Sequence, residues 1–154
     1  SRELYNDKGF IISKVYLYPD SNIIARGTYY KWYDNGKCKS QENKLIFKDE
    51  DGREIEVFDG LQKEWFVNGQ LSNEGEYKFD EKTDKYSSFQ IFTHKKWYLS
   101  GQLKQEINYD NLGSEKSSKI WYNNGQIKKL FSIEKGDWKE KCWDKNGNEI
   151  ECDF

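Results

Sequence analysis

Residues 64–72 read EWFVNGQLS, and this stretch decides the fold because the chain repeats it. Every copy has a Trp four positions before a Gly. The other copies are KWYDNGKCK (31–39), KWYLSGQLK (96–104), IWYNNGQIK (120–128) and CWDKNGNEI (142–150). Self-similarity at spacings of roughly 20–50 residues is the signature of repeat architectures. We therefore interpret the chain as an array of similar structural units.

Each unit is predicted to be a β-hairpin. Asn-Gly between residues of high β-propensity favours a two-residue type I′ turn, because both residues tolerate positive φ. A second set of turn signals lies about midway between the first, and Glu54–Val57 with a turn at Asp59-Gly60 predicts additional strand length. This second set is Asp49–Gly52, Asp80–Asp84, Asp110–Gly113 and Lys135-Gly136. With no run of helical periodicity, we predict an all-β fold: an elongated, single-layer, open-ended antiparallel meander of stacked hairpins.

The pattern also predicts the domain organisation. A degraded copy at 17–29, which contains Pro19, aligns with 65–77 and precedes the five clear copies. We therefore expect a repeat domain over 17–154 and an N-terminal capping segment over 1–16. In the final copy, Asp144 and Glu149 replace apolar residues, which predicts the polar cap that terminal repeats require. We expect the acidic tail EIECDF to complete this cap.

Composition limits the functions that this chain can serve. The 154 residues carry a formal net charge of −2, and 17% of them are aromatic although only 35% are hydrophobic. Aromatic side chains bury a large area each, so few aliphatic residues are needed for folding. A nucleic-acid surface requires aromatic residues with an excess of basic charge, and this excess is missing. We therefore expect no nucleic-acid partner.

The WYxNGQL units resemble MORN-variant repeats, whose pattern is close to W-Y-x-N-G-Q-L-K. EWFVNGQLS and KWYLSGQLK match best, and the resemblance extends over roughly 17–154. It implies an extended, twisted sheet of stacked hairpins. Bacterial members of this family are often described as antitoxin components, and some carry export signals. The resemblance thus implies a bacterial, antitoxin-like binding protein.

Strand alternation predicts two aromatic rows on opposite faces of the sheet. We interpret the Trp row and the turn glycines as structural, and the exposed Tyr/Phe row as the candidate partner-binding surface. The structural residues are Trp32, Trp65, Trp97, Trp121 and Trp143, with Gly36, Gly69, Gly101, Gly125 and Gly147. The candidate binding residues are Tyr33, Phe66, Tyr98 and Tyr122.

Four lysines precede the later Trp residues by two positions, which places them on the Trp face as a solvated edge. They are Lys63, Lys95, Lys119 and Lys141. Nothing predicts catalysis, a cofactor or a metal site. The single His94 lies in a strand-like run, Cys38 occupies an apolar repeat position, and the acidic turn at 49–52 lacks a calcium-ligand pattern.

The cysteines leave two alternatives open. Cys142 and Cys152 lie five residues on either side of Gly147, so a hairpin centred there brings them within reach of a disulfide. The alternative is free thiols in a reducing cytosol. A bridge would favour export. Localisation is expected to be the cell envelope or exterior if an upstream signal peptide has been removed, and cytoplasmic otherwise.

Three functions fit these features. The first is a non-enzymatic repeat module that presents a sheet surface to a protein partner, for toxin neutralisation or for envelope or host contact. The second is binding to a lipid or membrane surface, which the net charge of −2 disfavours. The third is carbohydrate binding by an exposed aromatic row.

Overall fold

The computed structural model describes residues 1–18, 22–80, 82 and 87–152. These residues form thirteen β-strands and no helix. The strands are β1 (Arg2–Tyr5), β2 (Ile11–Leu17), β3 (Ile23–Trp32), β4 (Cys38–Lys48), β5 (Glu54–Phe58), β6 (Gly60–Trp65), β7 (Leu71–Phe79), β8 (Ser88–Trp97), β9 (Leu103–Tyr109), β10 (Glu115–Trp121), β11 (Ile127–Glu134), β12 (Asp137–Trp143) and β13 (Glu149–Ile150).

All thirteen strands belong to one open antiparallel sheet. Their order follows the chain from β1 to β4 and from β6 to β13, while β5 pairs only with β4. The predicted all-β meander of hairpins is therefore confirmed. β5 and β6 both pair with β4, so Asp59-Gly60 does not reverse the chain, and the turn predicted there is wrong. The two residues form a kink, with Gly60 at a φ of 106°.

The five predicted hairpins are present, but their turn type differs from the prediction. In each, the residue after Trp donates its N–H to the carbonyl four residues on, and Gly donates back, as in Tyr33 N to Lys37 O and Gly36 N to Tyr33 O. This pattern is a type I turn followed by a left-handed glycine. Only the glycine needs positive φ, and no described Asn has it. A true two-residue turn with positive φ at both positions occurs at Lys135-Gly136.

The Trp hairpin turns form one edge of the sheet, and the first turn in this row comes from the N-terminal segment. Asn6 N bonds Phe10 O and Gly9 N bonds Asn6 O, with the same pattern as the later turns. β1 and β2 thus form a hairpin that pairs with β3. Pro19 of the degraded copy, most of the Asp80–Asp84 turn and the last two tail residues lie outside the described residues. The boundary between cap and repeats stays a prediction.

The core is small, as expected for one sheet. No described side chain of large volume is fully buried. A buried cluster of the described residues contains Leu45, Phe47 and Val57, where the β4–β5 hairpin meets β7, and Phe79 stacks on Phe47 with ring centroids 4.9 Å apart. Stability therefore depends on contacts between neighbouring hairpins, as in repeat proteins.

The last hairpin is closed by a covalent bond. Cys142 is buried and is joined to Cys152, with Cα atoms 5.3 Å apart, while Cys38 is free. Asp144 replaces the aromatic residue of earlier turns, and its carboxylate accepts the N–H groups of Asn146 and Asn148. These hydrogen bonds give the backbone N–H groups of the final turn a partner in the same turn.

Candidate functional site

The tyrosines of the predicted binding row link successive hairpins. Tyr33 Oη donates to the Trp65 carbonyl at 2.7 Å, and Tyr98 Oη donates to the Trp121 carbonyl at 2.8 Å. The Tyr122 hydroxyl reaches Trp143 in the same way at 3.0 Å. Phe66 has no hydroxyl and makes no such bond. Equivalent residues are two strands, about 9–10 Å, apart, so a side chain as long as tyrosine is needed to span the gap.

Lysines cover the rings of the same tyrosines. The Nζ atoms of Lys39, Lys104 and Lys128 lie 5.8, 5.4 and 5.6 Å from the ring centroids of Tyr33, Tyr98 and Tyr122. These distances fit cation–π contacts. The four residues of this row are half-buried. The three tyrosines have an internal role in joining hairpins, and the role in partner binding predicted for all four residues stays a prediction.

The turn glycines receive side chains from the preceding turn. A Cβ on Gly125 would lie 3.3 Å from Gln102 Oε1, and one on Gly147 would lie 3.3 Å from Gln126 Oε1. The residue after each glycine thus covers the next glycine in the row. The repeat therefore has two reasons for a Gly at this position: its positive φ and the close contact with this side chain.

The five Trp residues of the repeat are half-buried, whereas Trp138, outside the repeat pattern, is exposed. Trp32 donates its indole N–H to the Ile11 carbonyl at 2.7 Å and stacks on Phe10 at 5.0 Å between ring centroids. Each Trp is the cross-strand partner of the residue two places after Gly, for example Trp97 with Leu103. The structural role predicted for the remaining Trp residues is not tested by these contacts and stays a prediction.

A second aromatic row, which the sequence repeat does not contain, crosses the middle of the sheet. Phe58, Tyr77, His94 and Tyr109 follow one another with ring centroids 5.5, 5.1 and 5.3 Å apart. They line an open groove of about 270 Å³ that spans β5 to β9, which we call the central groove. Its other lining residues include Gln90, Lys96 and Gln105.

The groove is shaped by a bulge that places His94 on Gly75. Between Glu74 and Glu76 the pairing with β8 shifts by two residues, and Phe92 takes a φ of 58°. The imidazole Nε2 donates to the Glu76 carbonyl at 2.8 Å. Burial lowers the pKa of His94 despite this hydrogen bond, which favours the neutral imidazole. His94 is therefore a structural element of the groove.

Several polar groups in the central groove have no partner in the part of the chain that the structure describes. Among the described residues, the side chains of Gln90, Lys96 and Gln105 make no hydrogen bond or ion pair, and neither do the hydroxyls of Tyr77 and Tyr109. Aromatic surface with unused donors and acceptors is typical of a binding surface.

A charged cluster borders the groove at Glu42. Burial raises the pKa of Glu42, but hydrogen bonds from Lys31, Lys44 and Ser40 outweigh it and lower the pKa to about 2. Lys44 also pairs with Glu56. Two carboxylates are thus matched by two lysines, so the cluster is a rigid and nearly neutral border.

The lysines of the Trp face alternate with glutamates across neighbouring strands. Lys63 faces Glu74, Glu74 faces Lys95, and Lys95 faces Glu106, which in turn faces Lys119. The distance from the lysine Nζ to the carboxylate oxygen is 3.9 Å for Lys63–Glu74 and 3.8 Å for Lys95–Glu106. This face therefore has little net positive charge.

The remaining candidates have structural explanations. The Cys38 pKa is raised by burial, which disfavours the nucleophilic thiolate. In the acidic turn, Arg53 pairs with both Asp49 and Asp51. Within the described ranges, no group of three metal-ligating side chains is close enough to hold an ion. No helix in the described part of the chain is long and apolar enough to cross a membrane.

Sequence reasoning missed the central groove, although a weak signal existed. In the alignment of the degraded copy at 17–29 with 65–77, Gly75 and Tyr77 match Gly27 and Tyr29, and the sequence singles them out in no other way. The run FQIFTHKKW suggested a strand but gave no sign of the two-residue shift that brings His94 over Gly75. The four aromatic residues come from different strands, so their proximity depends on strand register.

The fold and this surface define a β-hairpin repeat protein with an open sheet face. A family model described as MORN repeat variant matches residues 58–79 and 93–111. These segments contain the hairpin turns that follow Trp65 and Trp97. They also contain the four aromatic residues of the central groove, Phe58, Tyr77, His94 and Tyr109. No curated protein matches the chain. The match supports a MORN-type repeat and is consistent with a non-enzymatic repeat module.

Proposed function

We propose that this chain is a non-enzymatic module that binds a protein partner across the central groove. The observation that carries the proposal is the continuous row Phe58, Tyr77, His94 and Tyr109, beside polar side chains that make no hydrogen bond or ion pair to any described residue. Aromatic residues are enriched at protein interfaces, where they provide contact area at a low cost in conformational entropy.

The border of the groove supports the same function. Because Glu42 and Glu56 pair with Lys31 and Lys44, a partner need not neutralise a large charge on binding. An anionic membrane is a poorer fit, since the alternating lysines and glutamates across β6 to β10 cancel the positive charge that lipid headgroups require. The partner-binding role expected for Tyr33 and Phe66 extends this surface, because both line an adjoining groove that shares Glu42, Glu64 and Lys96 with the first.

The test is affinity capture with matched variants. A triple variant, Gln90→Ala with Lys96→Ala and Gln105→Ala, removes groove side chains that make no internal hydrogen bond. A control variant, Gln41→Ala with Lys78→Ala, removes the same residue types away from the groove. We expect one abundant partner to bind the wild type and the control, and to be lost from the triple variant.

The source of the partner separates the finer proposals. Recovery from a cytosolic fraction would favour toxin neutralisation, and recovery from an envelope fraction would favour envelope or host contact. Equal capture by all three proteins would contradict the groove as the binding site. Flotation with anionic liposomes, or retention on immobilised glycans, without any captured protein would contradict a protein partner.

A further inference from the structure

The four Asn-Gly turns of the repeat are not chemically equivalent. In the Trp32 turn, Asn35 Nδ2 donates to the Val67 carbonyl at 3.0 Å, and its Oδ1 accepts the Lys37 N–H at 3.1 Å. Asn124 does the same with the Lys145 carbonyl at 3.1 Å and the Gln126 N–H at 3.1 Å. In both side chains the amide nitrogen and the amide oxygen are therefore hydrogen-bonded, and the nitrogen bonds to the following turn.

Asn68 is fixed only within its own turn. Its Oδ1 accepts the Gln70 N–H at 3.0 Å, and its Nδ2 donates to Gln70 Oε1 at 2.7 Å. Asn146 differs from all of these. Its side chain makes no hydrogen bond to any described residue, because Asp144 has taken over the N–H of Asn148 that an inner turn would give to Asn. Asn146 is also exposed.

We propose that Asn146 is the site at which the native chain undergoes spontaneous deamidation. The Gly147 nitrogen attacks Asn146 Cγ, a new N–Cγ bond forms, and the Cγ–Nδ2 bond breaks to release ammonia. Water then opens the cyclic imide at either carbonyl to give aspartate or isoaspartate. The net change is addition of water and loss of ammonia, with no oxidant or cofactor. Glycine at the second position leaves its nitrogen sterically accessible.

The structure explains the selectivity. Attack requires the side-chain carbonyl to rotate toward Gly147 and the bond from Gly147 N to the Asp144 carbonyl, at 3.1 Å, to open. At Asn35 and Asn124 the same movement must also break two side-chain hydrogen bonds, one of them to the next hairpin. Asn146 makes no side-chain hydrogen bond to a described residue, so its side chain can rotate toward Gly147 without breaking one.

The reaction would alter the end of the sheet. It adds a carboxylate beside Asp144, whose pKa is lowered by hydrogen bonds from Asn148, Asn146 and Gly147. Isoaspartate also lengthens the backbone inside the turn, which strains the bond from Asp144 N to Asn148 O. The attachment of Asn124 to Lys145 is expected to weaken as a result.

The experiment is a deamidation time course on the folded chain, at mildly alkaline pH and physiological temperature, with peptide mapping for the mass increase of about 1 Da. A parallel sample is unfolded in urea. In urea we expect similar rates at all four sites. In the folded chain we expect Asn146 to react near its unfolded rate, and Asn35 and Asn124 to react at least about tenfold more slowly.

The variant Asp144→Phe gives the last turn the chemistry of an inner turn, because Asn146 Oδ1 is then free to accept the Asn148 N–H. Its Asn146 rate should fall toward that of Asn68. Equal rates at Asn35, Asn124 and Asn146 in the folded wild type would overturn the proposal, as would protection of Asn146. Both comparisons use wild-type protein and remain decisive if the variant does not fold.

Discussion

Tyr98 Oη donates a hydrogen bond to the carbonyl of Trp121, 2.8 Å away and one hairpin further along the sheet. The bond ties the first residue of one turn to the last strand residue before the next. The same bond occurs at Tyr33 and Tyr122. Strand alternation alone predicted that this aromatic row is open to solvent, but its hydroxyl groups help to hold neighbouring repeats together. Its energetic weight can be measured with single-atom changes.

Tyr98→Phe is expected to lower the free energy of unfolding by about 1 kcal/mol, because it leaves the Trp121 carbonyl without its donor. The ring and its contact with Lys104 remain. Urea denaturation followed by Trp fluorescence measures the change.

The reverse experiment is possible at Phe66, because the inner turn that begins with this residue lacks the tyrosine hydroxyl. Phe66→Tyr should add a hydrogen bond to the Trp97 carbonyl and stabilise the fold by up to about 1 kcal/mol. If both substitutions leave stability unchanged, the hydroxyl bonds contribute nothing to joining the hairpins.

Gly75→Ala is expected to destabilise the fold by about 1–3 kcal/mol through overpacking. The added Cβ would lie 2.1 Å from His94 Nδ1. Thermal and urea unfolding of the variant measure the loss.

His94→Ala provides the matched background for this test. With the imidazole removed, Gly75→Ala should cost little, because Ala is no worse than Gly in a strand. A full double-mutant cycle gives the coupling between the two positions. Additive effects would show that the imidazole does not occupy the space above Gly75.

Glu42→Gln is expected to lower the free energy of unfolding by about 1–2 kcal/mol at neutral pH, a value reduced by the solvent exposure of Lys31. The folded-state pKa of Glu42 is about 2, below its ordinary value of 4.5. The carboxylate therefore stabilises the fold above pH 4.5, and this contribution is lost as the pH falls toward about 2. The difference between wild type and variant should disappear over that range.

Glu134→Gln is the matched control, because Glu134 pairs with Lys139 and both side chains are 60% exposed. Its effect on stability should be much smaller at every pH. A pH-independent difference for Glu42→Gln would contradict the role of its charge.

The Cys142–Cys152 bridge is expected to raise stability by about 2–3 kcal/mol, from the chain-entropy estimate for so short a loop. Intact mass without reductant should be about 2 Da below that of the reduced chain, with Cys38 alone alkylated. Cys142→Ser should then lower stability by a similar amount under oxidising conditions. Three cysteines that all alkylate in the native protein would exclude the bridge and would weaken the case for export.

The repeat in the sequence determined the fold class and the positions of the five Trp hairpins. Turn formation is local, and the Trp-to-Gly spacing identifies both strand ends without knowledge of the rest of the chain. It did not determine the turn type, because Asn-Gly fits both a two-residue turn and the third and fourth positions of the observed turn. The turn type depends on which two residues form the hydrogen bond that closes the hairpin. In the structure these are residues such as Tyr33 and Lys37.

The tertiary structure alone decided which side chains meet across strands. His94 lies over Gly75 because β8 carries two extra residues at a bulge, and a shift of that kind changes every later pairing without altering the alternation seen in sequence. The central groove and the Glu74–Lys95 pairing depend on this register, whereas the Lys63–Glu74 pairing and the tyrosine bonds depend on the register of other strand pairs. Local propensity determines where strands begin and where turns lie, whereas the register between strands is set by packing over the whole sheet.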